Sequence, residues 1–124
     1  MKIRMLVPAV VSVLLAAGLL AGPASADTFN TTVSISKDSP LFHGKVRSRL
    51  QSNCEPDRRV ILYRKVPGFD VRVARDRSNF TGKWKIKLDS LKDGQAYYVI
   101  VRQQRLGNDI NCAPATSKVV KVKG

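Results

Sequence analysis

The stretch "GKWKIKL" at residues 82–88 sets Lys83, Lys85 and Lys87 at every second position, with Trp84 and Ile86 between them. Amines at that spacing share one face of a strand, because successive strand side chains point to opposite faces. Such a row does no acid–base chemistry, but it can hold a polyanion. Groups suited to catalysis are sparse. His43 is the only histidine, so neither a hydrolase with several histidines nor an iron dioxygenase with a two-His, two-Tyr site can be built. A serine or cysteine triad would have to use His43, and the chain contains no G-x-S-x-G elbow. His43 is expected in a turn before the second strand. Asp70, Asp76, Asp89, Asp93 and Asp109 are scattered over expected turns and strand ends without the spacing of a calcium loop, and aspartate in turns commonly bonds its own backbone. No phosphate-cradling glycine motif occurs. The expectation is a protein that is not an enzyme, with no metal and no cofactor.

Charge and compartment say what such a protein meets. The first 26 residues run from Lys2 and Arg4 through "MLVPAVVSVLLAAGLLAG" to "PASA", the order of a secretory signal with an A-x-A cleavage site, so the mature chain is expected to start at Asp27. No cysteine stands there to carry a lipid, and no second long apolar run follows to span a membrane. Cleavage removes two of the 22 basic residues and leaves 20 against 9 acidic, a net charge of +11 on 98 residues. That excess attracts polyanions. Export also places Cys54 and Cys112 where disulfides persist. With no C-x-x-C and a single histidine, a structural bridge is expected rather than a redox or zinc site, stabilising the fold by about 4 kcal/mol in the loop-entropy model.

The elements that must position the lysines follow from periodicity. Apolar residues alternate with period two from Thr28 onward, and no stretch of the mature chain keeps helical spacing for two turns. Seven strands are predicted, over 28–36, 44–50, 58–65, 69–76, 82–88, 96–104 and 117–123, separated by "KDSP", "NCEPD", "VPG", "SNFTG", "KDG" and "LGNDINCAP". Short strands at this spacing predict an all-β, seven-stranded sandwich in a single domain over 27–124. Alternation sends Phe29, Val33, Ile35, Val46, Leu50, Val71, Val73, Trp84, Ile86, Leu88, Val99, Val101, Val120 and Val122 inward. In "LKDGQAYYVIV", the spacing of Asp93, Tyr97 and Val99 partly matches the tyrosine corner of an immunoglobulin-type sandwich.

In that topology the first, second, fifth and fourth strands share a sheet. Lys45, Arg47 and Arg49 then face outward beside Lys83, Lys85 and Lys87, with Arg72 contributed by the fourth strand: seven cations on one face. The other sheet is expected to expose Ile61, Tyr63, Tyr98, Ile100 and Val119, rimmed by Lys65, Arg102 and Lys121.

The segments "FHGKVRS", "RRVILYRK", "GKW", "AYYVIV" and "SKVVKV", with the two cysteines, resemble small secreted actinobacterial β-sandwich proteins of unknown function, related in pattern to carboxypeptidase regulatory-like and transthyretin-like domains. The resemblance runs from about Phe42 to the C-terminus. It implies a non-catalytic module with Cys54 paired to Cys112, and carries over no active-site residues.

Two uses are therefore expected for a chain secreted to the cell wall or beyond. The basic face engages an anionic wall or extracellular polymer, or the Tyr98 face binds a protein partner or a second copy. A secreted inhibitor is a third. Nothing resembles a nucleic-acid-binding motif, and export removes the chain from most nucleic acid.

Overall fold

A computed structural model describes residues 27–91 and 93–123. The expected signal segment over 1–26, Lys92 and Gly124 lie outside the described residues. The described residues form an all-β sandwich with one helical turn. Twelve short strands replace the seven expected: β1 (Asp27–Phe29), β2 (Thr31–Val33), β3 (Ser36–Asp38), β4 (Leu41–Ser48), β5 (Arg59–Val66), β6 (Phe69–Arg77), β7 (Lys83–Lys87), β8 (Ala96–Val101), β9 (Gln104–Leu106), β10 (Ile110–Cys112), β11 (Ala115–Thr116) and β12 (Val120–Lys121). The turn α1 (Gln51–Cys54) sits between β4 and β5.

The predicted strand over 28–36 divides into β1, β2 and β3, while β9, β10 and β11 fall mostly or wholly outside the predicted ranges, and two of the breaks have visible causes. At Ser117 the chain leaves the β8 edge between β11 and β12: the Ser117 hydroxyl accepts the Val99 N–H at 2.9 Å, taking the place of a backbone carbonyl. At Ser34, between β2 and β3, the hydroxyl accepts the Lys45 N–H at 2.9 Å, and the Ser34 carbonyl lies over Gly44. A Cβ on Gly44 would stand 1.9 Å from that oxygen, so only glycine fits. The second strand begins at Leu41 instead of residue 44, which brings Phe42 into the core and His43 into the strand.

One sheet is built on β4, which pairs with β2, β3 and β7; the other has the order β11-β8-β5-β6, with β12 also on β8. A small third sheet, β1-β10-β9, closes one end. The core lies between the two main sheets. Ile35, Phe42, Val46, Trp84 and Ile86 come from the first, and Val60, Leu62, Tyr97, Val99, Val101 and Val122 from the second. Phe42 packs on Tyr97 with ring centroids 4.9 Å apart. Each such fully buried large apolar side chain contributes about 1.5–3 kcal/mol.

The expected sharing of a sheet by the first, second, fourth and fifth strands is corrected. The fourth, now β6, pairs with β5 from Arg59↔Arg77 to Val66↔Phe69 and so belongs to the opposite sheet. The cause is local. Only Pro67 and Gly68 separate the paired residues Val66 and Phe69, and Gly68 holds φ at 87°. A two-residue link joins hairpin neighbours and cannot carry the chain across to another sheet.

Cys54 and Cys112 form the disulfide. Beside it Arg58 is wholly buried and, among the described residues, forms no ion pair with a carboxylate. Its guanidinium donates to the carbonyls of Cys54 (2.7 Å), Arg102 (2.9 Å) and Ala113 (2.8 Å) and to the Thr31 hydroxyl (3.2 Å). Burial pushes its pKa down from the ordinary guanidinium value. The planar fork thereby ties α1, β2, the end of β8 and the end of β10 into one junction.

Candidate basic binding face

The outer side of β4 and β7 assembles most of the predicted cations. The register pairs Lys45 with Lys83, His43 with Lys85 and Leu41 with Lys87. Because the Val46 N–H donates to the Gly82 carbonyl at 2.8 Å, ladder alternation makes all three outward pairs non-hydrogen-bonded positions, where opposed side chains stand closest. Lys45 and Lys83 are thus like charges placed directly opposite each other. Arg47, opposite Thr32, and Arg49 extend the row beyond the paired part of β7. Six of the seven predicted residues share this face.

Arg72 does not. It lies on β6 opposite Tyr63, in the other sheet, for the hairpin reason given above. His43 takes a place on the face that the sequence reading missed, because "PLFH" read as the end of a turn.

Among the described residues the one ion pair is Arg77–Asp57, at 3.2 Å, and it includes none of the cations of the row. Asp76 comes nearest to the lysines, but its Oδ2 accepts the Lys85 backbone N–H at 2.9 Å and leaves the amine unpaired. A groove runs along the face, lined by His43, Lys45, Lys83 and Lys85, with Asp76 and Asn79 on one wall and Ser34 and Ser36 on the other. It offers several amines and hydroxyls to an extended anion, and the register sets Ser36 opposite His43 within it.

The second predicted patch is less apolar than expected. Ile61 is 1% exposed, so it is not available to a partner. Its cross-strand neighbours are Arg75 and Ile100, and Arg59 and Tyr63 flank it along the strand. The stems of long side chains can cover an apolar neighbour while their charged heads stay in water. Tyr63 and Tyr98 stack at 5.4 Å with 13° between their planes, and Lys65 Nζ lies 5.5 Å from the Tyr98 ring centre. The Tyr98 hydroxyl donates to Asp70 Oδ2 at 2.6 Å. That hydrogen bond, with smaller effects of desolvation and of the Asp70 charge, pushes Tyr98 up to about 12. Ile100 is half-buried, and Val119 is half-exposed in the break between β11 and β12. Arg59 stands opposite Arg77 on this face, and Arg72 and Arg75 are exposed beside it, so arginines surround the tyrosine pair.

Among the described residues no helix is long and apolar enough to cross a membrane. Compared with known proteins, the chain matches no family model and no curated protein.

Proposed function

We propose that the mature chain is a secreted, non-catalytic binding module that attaches to an anionic cell-wall or extracellular polymer through the outer face of β4 and β7. One observation carries the reading. Lys45 and Lys83 are directly opposed, Lys85, Lys87, Arg47 and Arg49 share their face, and no carboxylate pairs with any of them among the described residues. Directly opposed like charges cost a sheet up to roughly 1 kcal/mol per pair. Solubility alone is served better by interspersed signs. A polyanion crossing the face would turn that repulsion into attraction. The secreted actinobacterial sandwiches that the sequence resembles agree with a non-catalytic role.

The test is co-sedimentation of the mature protein with purified sacculi, with and without their anionic polymers, at low and physiological salt. Wild type is expected to sediment only when the polymers are present, and less as salt rises. Substituting glutamate for Lys83, Lys85 and Lys87 together is expected to leave the protein in the supernatant. Equal behaviour of wild type and triple variant would overturn the reading. A second reading, a protein partner or second copy on the Tyr98 face, draws on the stacked Tyr63–Tyr98 pair and the half-exposed Val119. Tyr98→Asp would abolish that interaction and spare the polymer.

A further inference from the structure

The β6–β7 connection presents a phenylalanine to water on a rigid mount. Phe80 is 83% exposed, the most exposed large apolar residue among those described. The loop around it is not slack. Asn79 Oδ1 accepts the Thr81 N–H (3.0 Å), the Thr81 hydroxyl (2.9 Å) and the Lys83 N–H (2.9 Å). The Gly82 N–H returns to the Asn79 carbonyl at 2.9 Å. Gly82 holds φ at 85° and lies against β4 so closely that a Cβ would stand 2.4 Å from the Val46 carbonyl oxygen. Phe80 is therefore held outward by a turn whose polar groups are satisfied and whose seat on β4 is fixed.

Its surroundings are basic. Phe80 shares a shallow hollow with Lys45, Arg47, Arg49 and Leu50; Glu55, the acid in the same hollow, is buried and accepts the Ser48 N–H at 2.9 Å. We infer that Phe80 is a membrane anchor, entering the interfacial zone of an anionic lipid bilayer while Lys45, Arg47, Arg49 and Lys83 bind the headgroups. Two physical points favour a bilayer over a polymer at this tip. A ring that serves as a stacking platform packs one whole face on the protein and offers the other, whereas Phe80, at the rim of the hollow, is 83% exposed. A deformable apolar medium covers such a ring from every side without a preformed pocket. The cations around it match the charge of an anionic leaflet, to which each contributes within about a Debye length of the surface.

The geometry separates this inference from the polymer reading. Lys87 lies four residues along β7 from Lys83, roughly 13 Å further from the tip at strand rise. Lys87 thus stays clear of the headgroups and free for a polymer.

The experiment uses the mature, oxidised protein with vesicles of phosphatidylglycerol and phosphatidylcholine, and with phosphatidylcholine alone. Wild type is expected to co-sediment with the anionic vesicles only. Phe80→Ala should weaken that partition about tenfold or more, the ratio for burying a phenylalanine side chain, and keep the wild-type melting temperature and wild-type binding to lipid-free sacculi. Arg47→Glu with Arg49→Glu should abolish vesicle binding, and Lys87→Glu should leave it within about twofold. Phe80→Trp should gain fluorescence quenched by brominated lipid chains, while wild type, whose sole tryptophan Trp84 is buried in the core, should not be quenched. Undiminished vesicle binding by Phe80→Ala, or an unquenched Phe80→Trp, overturns the inference. So does wild type that binds sacculi and ignores anionic vesicles, and that result leaves the polymer reading standing.

Discussion

Replacing Lys83 by glutamate should stabilise the fold while it weakens polymer binding. Lys45 and Lys83 oppose each other at a non-hydrogen-bonded position, where Cβ atoms stand about 4.5–5.5 Å apart and a charged pair gains or loses about 0.2–1 kcal/mol. Lys83→Glu exchanges the unfavourable sign for the favourable one, a change of about 1 kcal/mol after screening of these solvent-facing groups. In a domain of this size that raises the melting temperature by about 4–8 °C. The gain must depend on salt, because the screening length falls from about 10 Å at 0.1 M to about 3 Å at 1 M. Calorimetry of the mature, oxidised protein at low and high salt measures it. Lys83→Gln removes the repulsion without adding attraction, so it should show about half the gain. The reasoning fails if Lys83→Glu melts at or below wild type in low salt, or if the whole gain survives about 1 M salt. If the variant melts higher yet binds sacculi as well as wild type, the row is not the contact surface.

Arg58→Met should destabilise the protein by about 3 kcal/mol in urea unfolding, since the loss of four charge-assisted hydrogen bonds outweighs the desolvation no longer needed for a buried guanidinium. Unfolding at or above the wild-type midpoint would mean that desolvation dominates at that junction. Asp70→Asn should bring the Tyr98 phenol down from about 12 toward its ordinary value of 10.0, followed by ring NMR shifts. The folded pKa lies above the unfolded one, so the stabilisation from the Tyr98–Asp70 contact is fully present below about 10 and is lost as pH rises through about 12. An unchanged Tyr98 titration in the variant would place the cause of its shift elsewhere.

The all-β class, the disulfide pairing and the alternation of Lys83, Trp84, Lys85, Ile86 and Lys87 were legible in the chain, because period two and cysteine count are local properties. The sandwich of Val46, Trp84, Ile86, Val99 and Val101 follows from the same pattern. Sheet membership did not follow from it. The clue for β6 was present in the two-residue Pro67–Gly68 link, but a four-strand topological template outweighed it and put Arg72 on the wrong face. Arg58 read as one more strand cation, for nothing in "PDRRV" says that carbonyls from Cys54, Arg102 and Ala113 converge there. Ile61 read as an outward residue, correctly by alternation, yet its burial comes from its neighbours on the sheet, whose identity is set by register. The sequence by itself determined where period two runs, apart from the register shift at Leu62 and Tyr63 that interrupts it between β5 and β6. Only the tertiary structure decided which strands lie side by side. That is why it alone could set Lys45 against Lys83 and carry Phe80 out beside Arg47 and Arg49: pairing between distant segments depends on the whole core closing at once.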